Sequence, residues 1–439
     1  MKEQGFKKPD KKGIDLSTIP ARVDKVNISG LRRTRDDYFH YVPEELFKVT
    51  NFQDIILECN NAKTYLNQLG VFKDITIHID VSKGENSTPN GYELSFEGTE
   101  LSPIVGEVGT EIGYNEGALK LALAAPNIRG RGERLILRGS HTTSNTSDIT
   151  LTLLKPLHHT VLRHYHPELS LSLFRHRSHL PYMASKTKNF GILGEFSFST
   201  PFNLTHSLQY EASCRELFCA GKQAPFFVRQ SCGPRMLSAI RLSTAYDIRD
   251  NAVFPTQGVY IKTTNEFSGL GGDISYISNT THAELNIPLY FDWVAQICSK
   301  VGIIQNDKLS KNPPISSLFS LGGPMNLRGF DLAGVGPHDD GYATGVNTFW
   351  AIGLHLWMPL PYYNQLGRFS QNWRTHLFCN FGNCDSFNTN DMRLATGIGL
   401  AYRIGQRARI ELNWCFPINI QKGDKIKNGF QFGIGYDFL

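Results

Sequence analysis

The chain has 439 residues, of which 41% are hydrophobic and only 19% are charged, with 40 glycines, 28 phenylalanines and a net charge of +5. This length predicts two units or one large one, and low charge with abundant glycine and phenylalanine is typical of a β-rich protein with an aromatic outer surface. Basic residues are not clustered as nucleic-acid binding requires. The sequence contains no run of about 18 apolar residues, so no transmembrane helix is predicted. Membrane-crossing strands leave a much weaker hydropathy signal, so a membrane β-barrel stays open.

The beginning of the chain is polar and rich in lysine, and we expect disorder over residues 1–20. It has no apolar core of a secretory signal peptide, and it lacks the arginines and amphipathic period of a matrix-type transit peptide. The eight cysteines form no CxxC pair, which indicates reduced packing residues rather than a disulfide framework. A bridge or a metal site at Cys379 and Cys384 is a minor alternative.

Residues 21–100 predict a small α+β domain. A helix is expected to begin near Thr34 and to be perturbed by Pro43. The clearest helix runs from Asn51 to Leu69, because its apolar residues recur on one stripe and Gly70 follows at the position where helices often end. Three strands complete the domain, at residues 22–30, 71–81 and 92–96.

Residues 101–439 predict a large antiparallel sheet. Strand-like runs of roughly ten residues follow one another, and this length accommodates about sixteen membrane-crossing strands. A soluble sandwich would also alternate apolar and polar residues, but here the polar face of a late strand carries Arg409 and Glu411, which suits a polar lumen. The sharpest alternation occurs in the last three strands, whose predicted lipid-facing residues are Ile398, Leu400, Tyr402, Ile404, Ile410, Leu412, Trp414, Phe416, Phe430, Phe432, Ile434, Tyr436 and Phe438.

The segment 318–330 is a glycine-rich loop around one arginine. Its glycines permit backbone conformations that a β-carbon forbids, so the loop can fold back and point Arg328 inward. A surface turn with a solvated arginine is the alternative. The residues that carry this motif are Gly322, Gly323, Leu327, Arg328, Gly329 and Phe330.

Several segments together carry a family resemblance: the small domain, the strand–turn segment Asp247–Gly258, the arginine loop and the aromatic last strand. In these features the chain resembles the BamA-like superfamily of outer-membrane insertases, whose small domains are called POTRA domains. Within that superfamily it is most similar to the core barrel subunits of the mitochondrial sorting and assembly machinery. The segments that carry this narrower resemblance are 106–117, 126–133 and 353–361.

The resemblance implies a transmembrane antiparallel β-barrel of about sixteen strands (residues 101–439), preceded by one POTRA-like domain (residues 21–100). Its function would be the insertion of β-barrel precursor proteins into the mitochondrial outer membrane through a lateral gate between the first and last strands. The last strand also resembles the β-signal of such precursors. The implied gate and β-signal residues are Gly106, Gly109, Gly113, Gln431, Gly433, Gly435, Tyr436 and Phe438.

The charged partner of Arg328 is the point at which the chain departs from the family. Bacterial relatives place acidic groups where this chain has His355 and Asn380, and both of these are expected to face the lumen. Either can accept a hydrogen bond, but neither forms a bidentate ion pair. Asp331 and Asp385 are therefore the local candidates for the charged partner.

The implied partners are β-barrel precursors, other subunits of the assembly complex, inner-membrane contact-site proteins and the lipid bilayer, without nucleic acid. The POTRA-like domain would face the intermembrane space. No nucleophile–base motif, phosphate loop or repeated metal spacing is present, so we expect neither an enzyme nor a cofactor or metal, and strand alternation would split the histidines between 158 and 179 across two faces. The alternatives are a passive pore or polypeptide-translocating channel of the same superfamily and, less favoured, a soluble all-β binding protein.

Overall fold

The computed structural model describes residues 16–35, 38, 41–83, 87–113, 116–157, 165–306, 313–360, 370, 372–385, 387–388, 390–405, 408–435 and 438–439. The chain divides into two compact units. The first contains the described residues up to Val105 and the segment Ala124–Leu135, and the second contains the large sheet. Residues 1–15 of the predicted tail lie outside the described residues.

The first unit is a three-stranded sheet with two helices. Strand β1 pairs in parallel with β3, and β2 pairs with β3 from the other side in the antiparallel sense. The stripe that predicted the main helix is buried, since Ile55 and Leu66 pack with Ile75 and Phe96 in one core. The elements are β1 (Arg22–Ser29), α1 (Tyr41–Leu46), α2 (Phe52–Gln68), β2 (Phe72–Val81) and β3 (Gly91–Glu100), after a 3₁₀ turn at Leu16–Thr18.

No helix begins at Thr34, and this prediction was wrong. The carboxylate of Glu100 accepts hydrogen bonds from the main-chain N–H groups of Arg32, Arg33 and Thr34, at 2.9 to 3.2 Å, and from the Thr34 hydroxyl at 2.6 Å. These bonds hold residues 32–34 in a bend against the end of β3. The first helix begins only at Tyr41.

The segment 126–133, which carried part of the family resemblance, belongs to this first unit. The side-chain amide of Asn127 donates to the Thr34 hydroxyl at 2.7 Å, and its oxygen accepts from the Gly132 N–H at 2.9 Å. A guanidinium nitrogen of Arg33 donates to the Pro126 carbonyl at 3.3 Å. Asn127 is buried, so this motif serves as an internal element of the unit rather than as an exposed connection.

The second unit is one antiparallel sheet of sixteen strands, with β4 at one end of the strand order and β21 at the other. The predicted strand number is therefore confirmed. A helix, α3 (Phe226–Ser231), follows β10, and 3₁₀ turns occupy Pro181–Met183, Tyr290–Asp292 and Ile315–Ser317. The strands of this sheet are β4 (Val105–Gly113), β5 (Glu116–Pro126), β6 (Arg134–Thr142), β7 (Ser147–Pro156), β8 (Glu168–Leu180), β9 (Ser185–Thr200), β10 (Leu204–Cys219), β11 (Gly233–Asp247), β12 (Gly258–Ser268), β13 (Tyr276–Pro288), β14 (Val294–Asn306), β17 (Thr348–Pro359), β18 (Trp373–Cys384), β19 (Arg393–Ile404), β20 (Ala408–Asn419) and β21 (Gly429–Gly435). Two short strands, β15 (His338–Asp339) and β16 (Tyr342–Ala343), pair with each other as a separate sheet.

Burial along these strands alternates in the sense expected of a membrane barrel. On β20, Leu412 and Trp414 are 43% and 45% exposed, while the intervening Glu411 and Asn413 are fully buried. Apolar side chains on the outside and polar ones on the inside are the arrangement that a bilayer and a polar lumen impose. No helix in the described part of the chain is long and apolar enough to cross a membrane.

All eight cysteines are free thiols, so the alternative of a bridge between Cys379 and Cys384 was wrong. The two thiols lie on opposite faces of β18. Cys379 is paired with the outward-facing Leu354, whereas Cys384 is buried against the Val335 carbonyl. Of the histidines between 158 and 179, three (at 158, 159 and 164) lie outside the described residues.

Candidate functional site between the inward loop and the last strands

The connection from β14 to β17 folds back on itself. We call its described part, residues 313–347, the inward loop. Phe319 and Val346 exchange two main-chain hydrogen bonds of 2.9 Å, and the Val335 N–H donates to the Leu321 carbonyl at 3.0 Å. Gly322 directly follows Leu321 at φ +115°, and a β-carbon there would meet the Asp331 carbonyl oxygen at 2.5 Å. The glycine is required because the two arms of the loop approach so closely.

The inward loop forms a short ladder with the connection between β20 and β21. The Asp331 N–H donates to the Lys425 carbonyl at 2.9 Å, the Lys425 N–H to the Gly334 carbonyl at 2.8 Å, and the Lys427 N–H to the Gly329 carbonyl at 2.9 Å. At the start of β21, the side-chain amide of Gln431 bridges the loop. Its oxygen accepts from the Gly329 N–H at 3.1 Å, and its nitrogen donates to the Phe330 carbonyl at 2.9 Å. The loop and the last hairpin are thereby joined.

Arg328 points inward, as the sequence predicted, and is fully buried. Its Nη2 and Nε atoms donate to Glu411 Oε2 at 2.7 and 3.2 Å, and its Nη1 donates to the main-chain oxygen of Leu439 at 2.6 Å. The guanidinium carbon also lies 5.4 Å from the ring centre of Phe378 and 5.6 Å from that of Phe438. An arginine presents five donors in a rigid fork, which allows it to hold these groups in one geometry.

A second arginine shares the same carboxylate. Arg409 Nε donates to Glu411 Oε1 at 2.8 Å, and its Nη1 donates to the Val253 carbonyl at 3.0 Å. Its guanidinium carbon lies 4.7 Å from the ring centre of Phe438 and 4.9 Å from that of Trp357. Glu411 therefore binds two buried cations, and the Phe438 ring contacts both of them. We call Arg328, Arg409 and Glu411 the arginine–glutamate cluster.

The segment Asp247–Gly258 reaches this cluster through the Val253 carbonyl. At its start, Arg249 pairs with Asp247 at 2.9 Å and with Glu284 on β13 at 2.8 Å. The turn is thus held between two ion-paired arginines. Through Arg409 and Glu411 the segment is linked to Arg328, so two of the sequence motifs that carried the family resemblance meet at one carboxylate.

The predicted partners of Arg328 were wrong, since in the described structure Glu411 binds the guanidinium and neither Asp331 nor Asp385 does. The reason is direction: the side chain leaves the loop toward the sheet interior, where the penultimate strand presents Glu411 between the inward positions Arg409 and Asn413. Such a contact joins residues 83 positions apart. The only sequence signal was an acidic residue on the polar face of β20.

His355 and Asn380 are both buried, but neither binds Arg328 in the described structure. His355 Nδ1 lies 3.2 Å from His376 Nδ1, and His376 Nε2 lies 2.9 Å from the Asn413 side-chain oxygen. The His376 ring also stacks on Trp357, with centres 4.1 Å apart and planes 3° from parallel. These residues form an aromatic and amide wall beside the arginine–glutamate cluster.

The glycines of the last strand contact the tip of the inward loop. A β-carbon on Gly433 would lie 3.0 Å from the Pro324 Cβ and 3.2 Å from the Phe438 ring, and one on Gly435 would collide with the end of Met325. The Leu439 N–H donates to the Met325 carbonyl at 2.9 Å. These glycines leave room for the loop, a reason that the sequence did not indicate.

Phe438 does not face lipid, and this prediction was wrong. Its side chain is only 3% exposed, whereas Phe430 on β21 is 60% exposed. The Phe438 ring packs against Gly433 and lies over the guanidinium groups of Arg328 and Arg409, which hold it inside. Tyr436 lies outside the described residues.

In the described part of the chain, Gly106 and Gly109 of the first strand have no contact with the inward loop. Gly106, Gly109 and Gly113 all lie in β4, at the opposite end of the strand order from β21. A β-carbon on Gly109 would meet nothing within 4 Å, and one on Gly106 would touch the side chain of Leu123 on β5 at 3.4 Å. The two sets of glycines thus have different surroundings.

Comparison with known proteins agrees with this architecture. The model of the Omp85 superfamily domain matches residues 127–438. The chain belongs to the Omp85 superfamily. It is 48% identical to a SAM50-like protein of Drosophila melanogaster over 97% of this chain and 96% of that protein. It is 33% identical to the human sorting and assembly machinery component 50 homolog, over 98% of this chain and 93% of the relative.

A solved structure gives the same fold. BamA from Haemophilus ducreyi lacking POTRA domains 1–3 superposes with a TM-score of 0.78, covering 94% of this chain and 84% of that one, at 19% identity. The chain thus has the fold of an outer-membrane β-barrel with a BamA-like sheet. Its named relatives are assembly components.

Proposed function

We propose that this chain folds and inserts β-barrel precursor proteins into the mitochondrial outer membrane through a lateral gate between β4 and β21. The observation that carries the proposal is the strand order, in which these two strands are the ends of the sixteen-stranded sheet. The backbone groups of an end strand can pair with an added strand. In hydrocarbon each unpaired group costs several kcal/mol, so templated pairing lowers a large barrier to insertion.

The inward loop supports a bracing role on one side of this gate. It contacts Gln431 and Gly433 on β21, and beyond that strand the Leu439 N–H donates to the Met325 carbonyl. The arginine–glutamate cluster ties the loop to β20 as well. The last hairpin and the loop therefore act together, and a precursor strand that enters the gate pairs against a supported edge.

The remaining parts of the proposal concern partners and location. The relatives named for the sorting and assembly machinery support a complex with further subunits and β-barrel precursors as substrates. The small first unit would act as a POTRA domain in the intermembrane space, where it would meet precursors or proteins of inner-membrane contact sites. The protein would act without bond chemistry and without a cofactor.

The experiment that tests the gate is cysteine crosslinking to a stalled precursor. Single cysteines are placed at Gly109 in β4 or at Phe430 in β21, in a background without the exposed native Cys232 and the half-buried thiols. We expect both to crosslink to the β-signal strand of the precursor in register-specific positions. Ile398, exposed on β19, is the matched control, since it faces outward but lies two strands from the sheet end.

Two outcomes would count against the gate. Precursor contacts confined to lumen positions, with no crosslink from β4 or β21, would support the rival function of a passive or polypeptide-translocating pore. Crosslinks of equal yield from Ile398 would indicate unspecific adhesion of the precursor to the outer surface. A precursor with a scrambled β-signal serves as the second control and should lose the register-specific products.

A further inference from the structure

Two cysteines lie beside each other at the end of β10. Cys219 is the last residue of this strand, and Cys232 directly follows α3 in the connection to β11. Their sulfur atoms are 3.4 Å apart, although the two residues are 13 positions apart in the sequence. A disulfide requires a sulfur–sulfur distance of about 2.05 Å, so a small rotation of the side chains would bring the two atoms within bonding distance.

These two thiols also differ from the other cysteines in their access to solvent. Cys232 is exposed and Cys219 is half-buried, whereas four of the other six cysteines are buried. Cys214 is half-buried on the same strand, but it lies an odd number of positions from Cys219 and therefore points to the opposite face. Among the eight cysteines, all of them in the described part of the chain, Cys219 and Cys232 combine a sulfur–sulfur contact with access from solvent.

The connection that carries α3 lies in water. Lys222 and Gln223 before the helix and Arg229 and Gln230 within it are all exposed. Charged side chains are unfavourable among lipid tails, so this segment lies outside the hydrocarbon. A water-soluble oxidant can therefore reach the two thiols.

We propose that Cys219 and Cys232 are an oxidative modification site, a dithiol that forms a reversible disulfide by exchange with a small disulfide such as that of glutathione. The Cys232 thiolate attacks one sulfur of glutathione disulfide, and one glutathione leaves as its thiolate. The Cys219 thiolate then attacks the Cys232 sulfur and displaces the second glutathione. The two protein thiols lose two electrons and two protons, and the glutathione disulfide becomes two molecules of glutathione.

The pair stays reduced at rest because its thiolate is scarce. The Cys232 sulfur lies against Cys219 and 3.3 Å from the Val228 carbonyl. Desolvation of this sulfur and the neighbouring Cys219 thiol raise the pKa of the Cys232 thiol to about 11. Since the thiolate is the reacting species, the exchange is slow at neutral pH, and its rate should rise about tenfold between pH 7 and pH 8.

The bridge would fasten α3 to the end of β10, and α3 packs against the inward loop. Val228 on α3 is fully buried in a cluster against which Tyr342 of the inward loop packs. Phe227 on α3 packs against a second cluster, which contains Ile315 near the start of the loop. A disulfide removes conformations from the segment that it closes. The oxidised chain should therefore hold α3 more firmly and, through these contacts, restrain the inward loop.

The first test identifies the bridge in the full chain in lipid nanodiscs. The chain is incubated with glutathione disulfide, free thiols are blocked with N-ethylmaleimide, and the protein is digested with trypsin. Cleavage after Lys222 and Arg229 separates the two cysteines, so a bridge appears as peptides 216–222 and 230–235 joined to each other. We expect this product, its loss on reduction with dithiothreitol, and its absence in Cys219→Ser, in which glutathione stays attached to Cys232.

Cys214→Ser is the matched control, since Cys214 lies on the same strand but in a different tryptic peptide. The joined peptides should form in this variant as they do in the unmodified chain. An unmodified chain that keeps both thiols free after the treatment, or that holds glutathione on Cys232 without forming the bridge, would overturn the proposal. A bridge from either cysteine to Cys214 would overturn it as well.

The second test measures what the bridge does to the inward loop. Amide hydrogen exchange of residues 338–346 is compared between the oxidised and the reduced chain. We expect several-fold slower exchange in the oxidised chain, and no difference in Cys219→Ser given the same oxidant. Equal exchange in the two states of the unmodified chain would overturn the restraint of the loop. Both readouts come from the chain alone, so neither depends on whether the proposed gate exists.

Discussion

At the scale of single residues, the arginine–glutamate cluster determines how the loop is held. Arg328, Arg409 and Glu411 are all at least nine-tenths buried, and one carboxylate serves two guanidinium groups. Removing one partner of a buried pair leaves an uncompensated charge, which is more costly than the pair itself is favourable. The cluster is therefore sensitive to any change of charge.

We predict that Arg328→Ala destabilises the folded barrel by about 3–5 kcal/mol. Arg328→Lys should recover only part of the loss, because an ammonium group cannot bind Glu411, the Leu439 oxygen and two rings in one plane. The measurement is the temperature at which the compact gel form converts to the unfolded one. Arg403→Ala, which removes a half-exposed arginine bound to Asn372 at 2.9 Å, is the control and should change that temperature little.

The glycines of the two end strands, β4 and β21, can be distinguished by the loss of stability that an alanine substitution causes. Gly433→Ala places a methyl group 3.0 Å from Pro324 and 3.2 Å from the Phe438 ring, and we expect a loss of about 1–3 kcal/mol together with faster proteolysis of the inward loop. Gly109→Ala enters open space and should stay within about 0.5 kcal/mol. If the glycines of both strands served only to keep the strands weak, the two variants would behave alike.

At the scale of elements, the carboxylate of Glu100 organises the first unit. Burial alone would raise the pKa of this carboxyl, but hydrogen bonds from the Thr34 hydroxyl and N–H and from the N–H groups of Arg32 and Arg33 outweigh it and lower the pKa to about 2. Because Thr34 also binds Asn127, the turn, the end of β3 and the segment 126–133 depend on one ionised group.

This dependence predicts an acid transition of the first unit. The folded-state pKa lies below the ordinary value of about 4.3, so the stabilisation is complete above that value and is lost as the pH falls through about 4 toward about 2. The loss should be on the order of 2–3 kcal/mol. Amide hydrogen exchange of residues 22–29 and 91–100 in the full chain measures it.

Glu100→Gln provides the control for that experiment. The glutamine amide keeps the shape of the carboxylate but not its charge. The protection of the amides of residues 22–29 and 91–100, relative to an unfolded chain at the same pH, should therefore be lower at neutral pH and change less between pH 5 and 2.5. An unchanged pH dependence in this variant would assign the transition to other carboxyl groups, such as that of Asp24, whose pKa is lowered by hydrogen bonds from Thr88.

At the scale of the whole molecule, the inward loop lies between the lumen and the last hairpin. A passive pore requires an open and steady path, whereas a loop fixed by buried ion pairs closes part of that path. We predict that the unmodified chain has a low conductance in planar bilayers and that Glu411→Gln raises it several-fold, because the loop is released. A high conductance of the unmodified chain, unaltered by Glu411→Gln, would favour the pore function instead.

Much of the architecture follows from periodicity. The alternation from Leu101 onward predicted the membrane barrel and its sixteen strands, and the helical stripe predicted α2 to within one residue at each end. The inward direction of Arg328 followed from its glycine neighbours. Local patterns of this kind are visible in the sequence because side-chain phase is fixed by the geometry of a strand or helix.

Contacts between distant segments were decided only by the tertiary structure. The charged partner of Arg328 is Glu411 and not one of the acidic residues close to it in the sequence. The arginine side chain points into the sheet interior and there meets a residue 83 positions away. Phe438 packs inward against two guanidinium groups, and Gly433 makes room for Pro324. The sequence by itself determined which faces are polar, since side-chain phase is local, and the chain length indicated how many strands form. Which polar groups meet was decided only by the tertiary structure, because it depends on how the loop folds against the sheet.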